Sequence, residues 1–412
     1  MQSEAKSTVR ALRHALQIMV MLAFAMAAAG CATTMARDVL PEKLVDAAEL
    51  AGMEGVRIWG DASREEIDAI VRAEAPKIRA VTAEQVRLSH PYISNIIAIS
   101  GGADDGAFGA GLLVGWSAAG SRPDFDLVTG VSAGALIAPF VFLGRDRDPQ
   151  LIEMFTKYGQ ADILSADVFS GLFGGPALAD SAPLARLIAK YVDERFLRAV
   201  ARERMKGRVL LIGTTNLDAQ RSVLWDMGRI AMSQHPQALD LFRKVLLASA
   251  SVPGLFPPVR IKVRAGGRTY EEMHVDGGVT QQVFLAPTAL VFKDVDRTIG
   301  RPMSRRLYII RNGKITPEWQ SVDDMALSTA GRSISTLIKN QSIGDLYRIH
   351  ATATRDGIDF NLATIPAEFN LKSDEPFDLR YMKALYEVGH SLGRRGYQWA
   401  KAPPGLAMEA RR

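Results

Sequence analysis

Gly130-Val131-Ser132-Ala133-Gly134 stands between two apolar runs, Phe125 to Val128 before it and Ala135 to Leu143 after it. That order reads as strand, tight turn and helix, the context of a nucleophile elbow. The chain turns so sharply there that only glycine fits at the positions flanking the turn, two residues to either side of the serine, and the hydroxyl is held above the positive end of the following helix. The pentapeptide alone is weak evidence. In a chain of 412 residues with 35 glycines, about 0.2 chance matches are expected. Its companions decide the reading.

The first companion lies upstream. Ile96-Ile97-Ala98-Ile99 reads as a short buried strand, Ser100-Gly101-Gly102-Ala103-Asp104-Asp105-Gly106 as a loop, and Ala107 to Leu113 as the opening of a helix. A glycine-rich loop between strand and helix presents bare N–H groups where an anion is best stabilised. A nucleotide phosphate is disfavoured: the Walker pattern is absent, the dinucleotide spacing is not met, and Asp104 and Asp105 would repel it. An oxyanion hole for a tetrahedral acyl intermediate is the use that remains.

The second companion is Asp276-Gly277-Gly278, closing the stretch Tyr270 to Val275. An aspartate followed by two glycines at a strand end permits close backbone approach. Glycine-rich loop, Gly-x-Ser-x-Gly and Asp-Gly-Gly, in that order, together with Ala248 to Val259 (Ala-Ser-Ala-Ser-Val-Pro-Gly-Leu-Phe-Pro-Pro-Val), resemble the patatin-like phospholipase family. The resemblance covers residues 94 to 280 well and the rest loosely. It implies Ser132 as nucleophile, Asp276 as its partner in a dyad without histidine, and an oxyanion hole at Gly101, Gly102 and Ala103. Two positions depart from the family: Ala103 stands where a third glycine is usual, and Asp105 where Lys or Arg is usual. Alanine keeps the N–H donor, provided the backbone angle suits an L-residue. The lost cation bears on preference for anionic headgroups more than on hydrolysis.

The chemistry of such a pair is direct. Serine needs a base within reach, and a carboxylate with a free pKa of about 4 serves only if burial raises it. Val275, Val279, Val283 and Phe284 supply apolar surroundings for Asp276. A Ser-His-Asp triad would run Ser, acid, His; His350 and His390 are late enough, but each sits in a helix-like stretch. Glu272, His274 and Asp276 alternate along a strand as metal ligands can, yet no fourth ligand or His-Glu-x-x-His pattern joins them. His14, His90 and His235 enter no constellation. No metal and no cofactor is expected. The rival from another class is a non-catalytic envelope lipid-binding protein, disabled by the altered loop.

Composition fits a large α/β core: 48% hydrophobic, 23% charged, net charge +5. The charge is too slight for nucleic-acid binding and mildly favours an anionic membrane surface. Lys6, Arg10 and Arg13 precede the apolar stretch Ala15 to Ala29, which ends Ala28-Ala29-Gly30-Cys31 at the only cysteine. This resembles a bacterial lipoprotein signal, cleaved before a cysteine that then carries palmitate-type acyl chains; an ordinary signal peptide is the alternative. Ala32 after Cys31 favours the outer membrane, facing the periplasm. The expected organisation is a signal peptide over 1–30, a helical preface over 31–90, a catalytic domain over 91–400 and a tail over 401–412.

Ser63-Arg64-Glu65-Glu66 is a capping box opening a helix that packs on the core or tethers the domain. Strands are expected at Val209–Thr215 and Leu307–Arg311, and helices at Ala182–Met205, Gln237–Ala248, Ser321–Thr352 and Leu379–Ala400. This alternation predicts a layered α/β/α fold with a mostly parallel central sheet and a site at the strand carboxyl ends. The broken apolar stretch Val168 to Pro176 reads as a flap over an acyl channel or as a buried turn. The predicted function is a membrane-anchored serine hydrolase of phospholipid, lysophospholipid or other acyl-ester substrates.

Overall fold

The apolar run ending at Ile99 closes a strand whose alternate side chains enter two different cores. In the computed structural model, which describes residues 37–88, 93–166, 177 and 179–406, Ile97 and Ile99 point into the main core. Ile96 and Ala98 point into a second one on the opposite face. Burial on both faces is why the run reads as continuously apolar rather than alternating.

The sheet has nine strands: β1 (Arg57–Trp59), β2 (Ile93–Ile99), β3 (Leu127–Gly130), β4 (Val209–Asn216), β5 (Arg221–Asp226), β6 (Val259–Ala265), β7 (Arg268–Asp276), β8 (Ser304–Arg311) and β9 (Asp359–Thr364). The order is β1-β5-β4-β3-β2-β8-β9, and the five strands from β4 to β9 along it are parallel. β5, β1, β7 and β6 join antiparallel.

The principal helices are α1 (Arg64–Leu88), α2 (Gly106–Ala118), α3 (Ala133–Leu143), α4 (Asp148–Thr156), α5 (Ala182–Tyr191), α6 (Glu194–Met205), α7 (Ala238–Ser249), α8 (Ala326–Asp356) and α9 (Leu379–Arg394). Residues of α2, α3, α7 and α9 fill the main core, while Leu346, Ile349 and Ala353 of α8 fill the second. Helices thus cover both faces of a mostly parallel sheet, the layered α/β/α arrangement expected.

Three helix boundaries differ from the sequence reading. The single helix expected over 182–205 is broken at Val192, because Asp193 caps a new helix by accepting from Phe196 N at 2.7 Å. α8 starts five residues later than expected and runs on to Asp356, ending at left-handed Gly357. α9 stops at Arg394, and Ala400 instead pairs with Leu362 of β9. The capping box forms: Ser63 N donates to Glu66 Oε2 at 2.7 Å, and Glu66 N to Ser63 Oγ at 3.2 Å. Before α1, Leu40, Leu50, Met53 and Val56 enter the main core and β1 extends the sheet, so residues 37–62 are strand and loop as well as helix. No helix among the described residues is long and apolar enough to cross a membrane. Cys31 and the stretch 168–176 lie outside the described residues.

Candidate active site

Ser132 occupies the turn between β3 and α3 with φ 54° and ψ −125°. A non-glycine residue at positive φ costs on the order of 1–3 kcal/mol and persists only where its surroundings hold it. Here they do. A Cβ on Gly134 would lie 2.2 Å from Ile99 O, so β2 and the first turn of α3 approach as only glycine permits. Ser132 N donates to Ser249 Oγ at 3.0 Å, and that hydroxyl donates to Gly213 O at 2.7 Å. Ser132 itself is 6% exposed.

Asp276 arrives by strand register. β5 takes one edge of β4, so β3 and β7 share the other in succession. β3 ends with Gly130 opposite Ile212, and β7 begins its pairing with Asp276 opposite Thr214. Two residues on β4 are about 7 Å, which brings the aspartate to the elbow. Asp276 N donates to Ser251 O at 2.9 Å, and Gly278 N donates to Asp276 Oδ1 at 2.7 Å.

At 4% exposure, burial pushes the Asp276 carboxyl up to about 7, against the opposing pull of the Ser132 hydroxyl and the Gly278 amide. Among the described residues, Asp276 Oδ2 has no hydrogen-bond partner. The Ser132 hydroxyl therefore acts on the carboxyl from close by without a formed hydrogen bond, as is common in unliganded sites.

The glycine-rich loop lies against both. Gly101 N donates to Gln282 O at 3.0 Å, so its amide is spent on holding the loop. Of the three expected oxyanion donors, the amides of Gly102 and Ala103 remain. Gly102 has φ 155°, and a Cβ there would meet Asn312 O at 2.3 Å. Ala103 has φ 49°, the left-handed conformation that glycine adopts more cheaply.

Asn312, at the end of β8, secures the loop from both sides. Its Nδ2 donates to Ser100 O at 2.9 Å, and its Oδ1 accepts from Gly109 N at 3.0 Å. Asp105 lies half-buried beneath, where desolvation pushes its carboxyl up to about 7 although Tyr381 donates to it. A cation is nonetheless present, because Arg311 lines the same cavity, its Nη1 without a hydrogen-bond partner among the described residues.

The rival residues are engaged elsewhere. Glu272 accepts from the Arg57 guanidinium and pairs with His274 Nε2 at 3.1 Å, while His274 Nδ1 meets Thr214 Oγ1 at 3.0 Å. His350 packs edge-on against Phe360 and His390 stacks on Tyr386. Among the described residues, no histidine hydrogen-bonds to Ser132 or Asp276.

Ser132 sits where two cavities meet. One is a narrow apolar slot walled by Leu136, Phe140, Leu187, Ile188, Tyr158 and Tyr191. The other, about 970 Å³, also reaches Asp276 and opens past Arg311 and Lys314 to the first half of α8. Ser249, Ser251, Gln282 and Asn312 carry no motif of their own. The two serines lie within the Ala248–Val259 stretch singled out in the sequence, but without a role until the end of α7 and the residues after it are seen to deliver them.

A model of the patatin-like phospholipase family matches residues 97–288. The structure of VipD from Legionella pneumophila is similar at 12% identity and a TM-score of 0.33, over 74% of this chain and 67% of that one; so remote a likeness carries no weight for function. No curated protein matches significantly. The matched span begins in β2 and takes in the glycine-rich loop, the elbow and Asp276. The chain therefore carries a patatin-like phospholipase domain over residues 97–288, the domain of a family of lipid acyl hydrolases.

Proposed function

We propose that the protein is a membrane-anchored serine acyl hydrolase of phospholipid-like esters, acting through a Ser132–Asp276 dyad and an acyl-enzyme. The observation that carries this reading is the placement of a strained serine beside a buried carboxyl at the mouth of an apolar slot. Asp276, raised toward neutrality by burial, accepts the proton as Ser132 Oγ attacks the acyl carbonyl. The amides of Gly102 and Ala103 receive the developing oxyanion. Collapse expels the alcohol, which takes the proton back from Asp276. Water then attacks the acyl-serine by the same route, and the fatty acid leaves.

The slot suits one acyl chain, and the wider cavity leaves room for headgroup and water. At the outer rim Leu337 is 69% exposed, and Trp319, next in sequence to the lining residue Glu318, is 85% exposed, which supports approach to a lipid surface. Lipidation of Cys31 would hold the domain at the cell envelope, in keeping with the sequence before it.

Release of free fatty acid from phosphatidylcholine vesicles, followed by mass spectrometry, tests the reading. Wild type should release it and Ser132→Ala should not. Lipid that co-purifies with wild type without turnover would instead support a non-catalytic lipid-binding protein.

A further inference from the structure

The slot beside Ser132 has a defined inner boundary. α3 leads away from Ser132, and its residues Leu136 and Phe140 line the slot one and two turns along. Phe140 is eight residues from Ser132, about 12 Å at the rise of an α-helix. There it meets Tyr191, the last residue of α5, edge-on with ring centroids 6.1 Å apart.

Tyr191 is not free to swing aside. Its hydroxyl donates to Tyr158 Oη at 3.0 Å. Tyr158 in turn donates to Glu153 Oε1 at 2.9 Å and accepts from Lys190 Nζ. Lys190 also donates to Glu153 at 2.9 Å, and its ammonium lies 4.9 Å from the Tyr191 ring centroid and 5.2 Å from that of Tyr158. Both rings therefore wall the slot while both hydroxyls are tied to a partly exposed ionic cluster joining α4 to α5. An apolar chain reaching this point meets hydroxyls already committed to one another, and a chain pushing further would have to break that cluster.

We propose that Tyr191, braced by Tyr158, ends the acyl slot and limits the chain that Ser132 accepts to medium length. This rests on the acyl-hydrolase reading above. At ordinary carbon–carbon bond lengths in a zigzag, 12 Å of slot takes roughly nine or ten carbons.

The test is a chain-length profile of the full-length protein on p-nitrophenyl butanoate, decanoate and hexadecanoate, read as ratios of kcat/KM within each variant. Wild type should favour decanoate over hexadecanoate by about ten-fold or more. Tyr191→Ala should raise the hexadecanoate-to-decanoate ratio by about ten-fold, and Tyr191→Phe, which keeps the ring but loses the brace to Tyr158, should raise it by less. Leu136→Trp, filling the slot one turn from Ser132, should shift preference to butanoate and gives a second reading if Tyr191→Ala does not fold. A wild-type optimum at hexadecanoate, or variant profiles that superimpose on wild type, would overturn the proposal. Wild type that cleaves none of the three esters would overturn the hydrolase reading itself, a result distinct from a shifted optimum.

Discussion

Burial of the Asp276 carboxyl has two consequences of opposite sign. As a base it must be ionised, so kcat/KM should rise with pH through about 7 and level off above. For stability, a carboxyl whose folded pKa is raised contributes fully below its unfolded value of about 4 and loses that contribution as pH climbs through the folded value. Between about pH 4 and 7 the folded state is thus progressively penalised, by on the order of 4 kcal/mol at the upper end. Asp276→Asn removes that penalty while Oδ1 still accepts from Gly278. It should lower acylation by about 10²–10⁴-fold and yet melt higher than wild type at pH 8.5, with little difference at pH 4. Thermal denaturation at the two pH values checks this; a mutant less stable at pH 8.5 would contradict the placement of the charge.

At the scale of elements, the end of α7 and the residues just after it deliver both halves of the site, through Ser249 to Ser132 N and through Ser251 O to Asp276 N. Ser249→Ala leaves the buried Ser132 N–H without its acceptor and removes a donor from Gly213 O. It should cost about 1–3 kcal/mol of stability and lower kcat more than it changes KM, measured by denaturation and steady-state kinetics. A variant with full kcat would mean that the elbow holds its strain without α7.

The elements nearest Ser132 were legible in the sequence because their chemistry is local: a glycine on each side of a serine, an apolar run before a glycine-rich loop, a capping box before α1. The route by which Asp276 reaches Ser132 was legible only as a resemblance. It depends on β7 taking up the edge of β4 where β3 stops, and register between strands 60 residues apart leaves no local trace. The same holds for Gly101, whose amide is consumed by a carbonyl of Gln282, and for Asn312, which follows a strand without any motif. The break at Val192 was written in Asp193, a capping residue set inside an otherwise helical pattern.

Over the whole molecule, the two cavities, the exposed first half of α8 and the glycine-rich loop lie at the carboxyl ends of the parallel strands, where open α/β sheets carry their sites. The proposed anchor, Cys31, precedes all the catalytic motifs in the sequence and is separable from their chemistry. If Cys31 bears two or more long acyl chains, at about 0.8 kcal/mol per buried CH₂, wild type should fractionate with membranes. Cys31→Ser should lose the acyl mass while still cleaving a soluble ester. Wild type found soluble without that mass would exclude the anchor and leave the hydrolase reading intact. If Ser132 is an activated nucleophile, a fluorophosphonate should label it covalently, a test that needs no knowledge of the substrate. Intact and peptide mass spectrometry should find one adduct, on Ser132, absent in Ser132→Ala and much slower to form in Asp276→Asn. No adduct on the folded protein, or an adduct on another serine, would contradict the account.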